Sequence, residues 1–159
     1  MSVRIGPAPQ DFSAWPELLR LLTDAFAFMA GRIDPPSSVL RLTSDSIAEK
    51  AREETLFLAE DGNELIGCVF ARPQGESLYI GKLAVRENRR RTGIGKALMD
   101  AVEHHALSLG LRRLELETRI ELTENHATFA SLGYVRTGEH AHEGYDRPTS
   151  VTMRKVLPG

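Results

Sequence analysis

The stretch from Lys82 to Leu109 constrains this chain most, because an apolar strand pattern passes through a basic loop into a strong helix pattern. Lys82-Leu83-Ala84-Val85 reads as the end of a strand that starts at Ser77. Ile94, Ala97, Leu98, Ala101, Val102, Ala106 and Leu109 then recur at steps of three and four. They form one face of a helix predicted over Gly93 to Leu109, with Gly110 as its C-terminal stop. Between strand and helix lies Arg89-Arg90-Arg91-Thr92-Gly93-Ile94-Gly95-Lys96. A helix N-terminus leaves backbone N–H groups unpaired and carries partial positive charge. A loop that curls those donors inward makes an anion cradle, of a kind suited to a pyrophosphate. Gly93 and Gly95 would let the backbone approach phosphates without a Cβ in the way, and the arginines would add attraction.

The spacing discriminates among phosphate loops. A P-loop needs a hydroxyl residue after the lysine, and Ala97 stands there. A dinucleotide fingerprint needs a third glycine where Leu98 stands. Neither pattern fits, and a solvated turn remains the alternative for the loop taken alone.

The rest of the chain supplies a mixed order of elements. Ser2 to Ile5 is a candidate first strand. Phe12, Trp15, Leu18, Leu19, Leu22, Phe26 and Met29 mark a helix within Asp11 to Met29, and Pro16 is tolerable in its first turn. Gly31 to Ser38, with two adjacent prolines, cannot be regular. A second helix is expected from Ser44 to Glu54. Thr55 to Glu60, Leu65 to Ala71 and Ser77 to Val85 read as a three-stranded antiparallel meander with a turn at Asp61-Gly62-Asn63. Arg113 to Thr118, a short helix over Glu124 to Leu132, and strands at Tyr134 to Thr137 and Val151 to Val156 complete an α/β chain.

Size and composition narrow the class further. The 159 residues fit one domain, spanning 1–159, and the balance of 42% hydrophobic and 26% charged residues is that of a packed domain. A formal net charge of −2 gives no support to a nucleic-acid partner. Cys68 stands alone, so no internal disulfide forms, which suits a reducing compartment. Met1 to Gln10 lacks an apolar signal core and no run reaches membrane-spanning length. A cytoplasmic location without membrane association is expected.

Arg90-x-x-Gly93-x-Gly95 matches the R-x-x-G-x-G/A element of the GNAT N-acetyltransferases, and the resemblance extends over nearly the whole chain. Leu83-Ala84-Val85 is similar to that family's fourth strand, and Asn125-His126-Ala127-Thr128-Phe129-Ala130-Ser131-Leu132-Gly133-Tyr134 resembles its second signature block. The resemblance implies the GNAT fold: a mixed, mostly antiparallel twisted sheet of about six to seven strands flanked by about four helices. It implies acetyl-CoA as co-substrate, held by Leu83, Ala84, Val85, Arg90, Arg91, Thr92, Gly93, Ile94, Gly95, Lys96 and Asn125. It implies acetyl transfer to an amine of a small molecule or peptide by direct attack on the thioester, and it allows a homodimer. A backbone N–H near Leu83 or Ala84 would be the oxyanion donor.

One departure bears on catalysis. Many family members carry a tyrosine where this chain has Phe129, which has no proton to give a leaving thiolate. A water, a thiolate that leaves unprotonated, or another hydroxyl, with Tyr145 and Ser131 as candidates, would take its place, and a catalytically weak or inactive acyl-CoA-binding regulatory module stays open as an alternative. Glu115 and Glu117 alternate with Leu114 and Leu116, so both belong to one face of a strand; Glu117 is the candidate base if that face lines the cleft and a surface residue if not. His104 and His105 are adjacent on a helix, and His140 and His142 lack a third ligand at a clear spacing, so no metal site is expected. Acceptor contacts are expected from Phe28 to Ser38 and from Gly138 to Thr149, and neither stretch carries a cluster of one charge.

Overall fold

The computed structural model describes residues 3–158; Ser2, placed in the first strand by its sequence, lies outside them. Seven strands form one sheet: β1 (Val3–Pro7), β2 (Thr55–Asp61), β3 (Glu64–Gln74), β4 (Ser77–Val85), β5 (Arg113–Arg119), β6 (Val135–His140) and β7 (Ser150–Val156). Their spatial order is β1-β2-β3-β4-β5-β7-β6, and only β4 and β5 run parallel. Four helices flank the sheet: α1 (Trp15–Phe26), α2 (Ser44–Glu53), α3 (Ile94–Ser108) and α4 (Thr123–Ser131). The fold is the expected mixed α/β arrangement, with the β2-β3-β4 meander at its centre.

Alternation along the strands builds two cores. Leu58, Cys68 and Phe70 pack with Leu18 and Leu22 of α1 and Ile47 of α2 on one face. Phe57, Val69, Leu78 and Leu114 pack with Leu98 and Val102 of α3 on the other. The α3 crossover is what makes β4 and β5 parallel, since such a connection cannot be a tight turn.

The helix ends follow local chemistry. In α2, the Thr43 hydroxyl accepts from the Ser46 N–H at 3.0 Å and the Ser46 hydroxyl accepts from the Thr43 N–H at 2.9 Å. The α1 helix is shorter than its apolar pattern, because the chain tightens into a 3-10 turn over Ala27–Met29. A further 3-10 turn occupies Ser38–Arg41, where an irregular connection leads into α2. β6 reaches His140, so the last connection begins three residues later than Gly138.

Two features of β4 shape the space beside it. Its pairing with β5 covers only Ser77–Ile80 against Arg113–Leu116, after which the two strands part. Against β3, Lys82 and Leu83 stand opposite the single residue Val69, a β-bulge at which Lys82 takes a left-handed φ of 55°. A non-glycine residue there is strained, and the surrounding sheet must hold it.

Candidate functional site

The parting of β4 and β5 opens a cavity of about 870 Å³, within the range of small-molecule sites. Its walls are the far halves of β4 and β5, the C-terminal end of α1, the Pro35–Arg41 connection, the first turn of α3, the inner face of α4 and the loop near His142 and Tyr145.

At one end, α3 begins on Gly93, whose φ of +89° is left-handed. No side chain caps the helix and no acidic residue lies in its first turn, so its leading N–H groups lack a side-chain acceptor. A Cβ on Gly95 would rest 3.7 Å from a Val85 methyl, an ordinary contact with the protein, so what it would occupy is cavity space. Gly93 has nothing within 4 Å of its Cβ position. The two glycines therefore differ: Gly93 is required by its backbone angle and Gly95 keeps the cavity wall bare.

The arginines of the loop are largely committed. Arg89 pairs with Asp61 at 2.9 Å and Glu64 at 3.2 Å. Arg90 donates to the Ala25 carbonyl at 3.0 Å and lies over the Phe28 ring at 5.5 Å, tying the loop to the end of α1. Arg91 takes a left-handed φ of 65° and is exposed. The Thr92 hydroxyl donates to the Arg89 carbonyl, and Ile94 turns its side chain into the core. Lys96 pairs with Asp100 at 3.1 Å.

Of the residues singled out by sequence, the structure brings Leu83, Ala84, Val85, Arg90, Gly95, Lys96, Glu117, Asn125 and Tyr145 to the cavity wall. Arg91, Thr92, Gly93 and Ile94 do not line it; they shape the turn behind it.

The two glutamates of β5 have separate environments. Glu115 is buried, accepts from Arg154 at 2.6 Å and from Gln74 at 3.2 Å, and is thereby occupied. Glu117 is exposed on the cavity wall. Its charge reaches Tyr79 of β4, whose phenol is pushed up to about 12 by burial first and by Glu117 next. Tyr145 donates to Asp34 at 2.6 Å, and that bond raises its pKa above the ordinary phenol value. Phe129 lines the cavity and packs edge-to-face on Tyr134 at 6.0 Å between centroids. Cys68 is fully buried, its thiol pushed up to about 12 by desolvation, and it donates to the Lys82 carbonyl. That environment leaves it inert as a nucleophile.

Sequence reasoning missed Tyr79, Lys82, Arg41 and Arg119, all on the cavity wall. Lys82 was legible only as part of a strand. Its bulge, which decides where its side chain goes, leaves no local signal.

No curated protein is significantly similar to the chain in sequence. Many solved structures share its fold. PaiA N-acetyltransferase from Thermoplasma acidophilum, in complex with coenzyme A, superposes with a TM-score of 0.79 at 13% identity, over 99% of this chain and 100% of that one. A GNAT family acetyltransferase from Elizabethkingia anophelis with acetyl-CoA bound gives 0.70 at 21% identity, over 98% of both chains. An aminoglycoside 6'-acetyltransferase type Ii gives 0.77 at 23% identity, also over 98% of both. The family model for the acetyltransferase (GNAT) family matches residues 15–134, from the start of α1 through the residue after the Gly133 turn. With the splayed β4–β5 pair and the uncapped α3 start on that same span, the chain belongs to the acetyltransferase (GNAT) family.

Proposed function

We propose that this chain transfers an acetyl group from acetyl-CoA to an amine of a small molecule or peptide by direct attack on the thioester. The observation that carries the reading is the uncapped α3 N-terminus facing a cavity that opens where β4 leaves β5. Its free N–H groups suit a pyrophosphate, and the bare Gly95 suits close approach of one. The edge of β4 from Gly81 to Val85, released from β5, supplies backbone donors and acceptors to an extended pantetheine arm. Acetyl-CoA, when bound, supplies an activated acyl carbon on a thiolate leaving group.

The amine nitrogen attacks that carbon, a C–N bond forms as the C–S bond breaks, and the electron pair leaves on sulfur. Glu117 takes the proton that the nitrogen sheds, directly or through water. Backbone N–H groups at the Lys82–Leu83 bulge would stabilise the developing oxyanion, a reading supported by the irregular pairing there. Tyr145 is the candidate for returning a proton to sulfur: its pKa, raised by Asp34, keeps it protonated at neutral pH. With Cys68 buried and inert, no side-chain thiol on the cavity competes with direct transfer.

Isothermal titration with acetyl-CoA and with ATP, followed by thiol release across an amine panel, tests the reading. Acetyl-CoA binding without ATP binding, and thiol release that depends on the amine, are expected. ATP binding in place of acetyl-CoA would sink it.

A further inference from the structure

We infer that the acceptor is an amine bearing an anionic group, a carboxylate or a phosphate, seated between Arg41, Lys82 and Arg119 while its nitrogen faces Glu117. The inference rests on the acetyl-transfer reading and names the substrate class of that same cavity.

Three cations line one wall, each from a different segment: Arg41 from the 3-10 turn before α2, Lys82 from the β4 bulge and Arg119 from the end of β5. None forms an ion pair with a described carboxylate. Lys82 donates to the Ser38 hydroxyl at 2.6 Å. Arg119 donates to the carbonyls of Pro35 and Pro36 at 2.7 and 3.1 Å. Arg41 is exposed, and its side chain makes no hydrogen bond to another described residue.

The carboxylates that act on these cations are partly engaged elsewhere, although Glu121 keeps one buried oxygen without a partner. Glu54, the acid nearest in effect to Lys82, holds Lys50 at 2.7 Å and Arg72 at 3.6 Å. Asp34 holds Tyr145 and Arg147, and Glu121 accepts from the Asp34 N–H at 3.1 Å. Glu121 and Asp34 act on Arg119 only at longer range. Glu143 lies at the exposed rim. The three cations therefore repel one another with no direct ion pair between them and a carboxylate, Glu54 offsetting Lys82 and Glu121 and Asp34 offsetting Arg119 only through space: burial first, then Lys50, Arg41 and Arg119, hold Lys82 below the ordinary lysine pKa. The fold also keeps Lys82 in a strained left-handed conformation that a glycine would occupy without penalty.

The phosphates of the donor do not account for this wall. Lys82 reaches toward Ser38 and Lys50, on the α1–α2 side of the sheet. The α3 N-terminus lies on the opposite side, with Val85 and Gly95. Glu117, one residue past the last β4–β5 pair, supplies a negative charge for the ammonium end. A compact acceptor with both charges would match the wall.

Thiol release should be measured on matched pairs: amino acids against their carboxamides, and phosphoethanolamine against ethanolamine. The anionic member should be preferred by about tenfold or more in kcat/KM, the scale of one charge-assisted hydrogen bond. Whichever pair shows the preference identifies carboxylate or phosphate. Arg41→Gln, an exposed change that removes no described bond, and Lys82→Gln should each shrink that ratio toward unity. An equal or reversed preference, or a ratio untouched by both variants, overturns the anionic acceptor. So does acetyl-CoA binding with no turnover of any pair. Failure to bind acetyl-CoA by titration refutes instead the transfer reading on which this rests.

Discussion

The two ends of the cavity are built by different means. The proposed donor end is made of backbone: a left-handed Gly93, a bare Gly95 and the uncapped first turn of α3, all within one short run of sequence. The proposed acceptor end is made of side chains, Arg41, Lys82, Arg119, Glu117 and Tyr145, brought together from distant segments. Each end has one strained cation beside it, Arg91 in the turn behind the first and Lys82 on the wall of the second. A backbone cradle recognises a group common to all its ligands, whereas a side-chain wall can change residue by residue without disturbing the fold.

The largest effect should come from Glu117→Gln, which acts on the acceptor side alone. Loss of a general base lowers rates by about 10² to 10⁴. Initial rates should show kcat falling on that scale, while titration shows acetyl-CoA affinity within about twofold of the parent. A fall in donor affinity of similar size would mean that the two ends are not separable.

Next in size is Gly95→Val. The added Cβ meets only a Val85 methyl at an ordinary distance, so the protein should fold, and the branched side chain projects into the cradle. Acetyl-CoA affinity should fall by about tenfold or more, the worth of one or two lost phosphate hydrogen bonds. Gly93→Val differs in kind, because its φ of +89° adds about 1–2 kcal/mol of backbone strain. It should lower the thermal midpoint together with affinity. Unchanged affinity in a folded Gly95→Val protein would remove the cradle from the account.

This contrast also explains what was legible in the sequence. The order of elements, the meander and the strand-loop-helix at Val85 to Ile94 follow from local periodicity, and the structure reproduces them. The roles within the loop did not follow. Three arginines in a row read as added attraction for phosphates, and the partners that they take within the protein were not legible: Arg89 meets Asp61 and Glu64, and Arg90 the Ala25 carbonyl. Which partner a long cation finds depends on tertiary packing and leaves no trace in spacing. The acceptor wall was invisible for the same reason: neither flanking loop carries a one-sign cluster, because two of its three cations sit on β4 and β5. Glu115 and Glu117 share a sequence pattern, and only the neighbouring Arg154 and Gln74 set them apart.

A third prediction concerns Arg90, which joins the donor loop to α1. Replacing it by glutamine removes the bond to the Ala25 carbonyl and the contact with Phe28. Stability should fall by about 1 kcal/mol, measured by urea denaturation. A variant of parental stability but lower acetyl-CoA affinity would show instead that Arg90 meets the donor directly.

The smallest effects test the two strained cations against each other. Lys82→Gly and Arg91→Gly each relieve a left-handed backbone, worth about 1 kcal/mol, or roughly 2–4 °C in thermal midpoint for a domain of this size. Lys82→Gly should gain more, because it also removes a cation that is destabilised first by burial and then by Lys50, Arg41 and Arg119. That excess has a defined pH dependence. The pKa of Lys82 is lowered in the folded state, so between that value and the ordinary lysine value the unfolded chain binds more protons. Parental stability therefore rises with pH across this window, and the advantage of Lys82→Gly over Arg91→Gly is largest at neutral pH and shrinks under alkaline conditions. Parallel thermal melts of the two variants at pH 7 and at alkaline pH read the difference directly. A constant difference across pH would mean that strain alone separates them, and that neither burial nor the neighbouring cations act on Lys82.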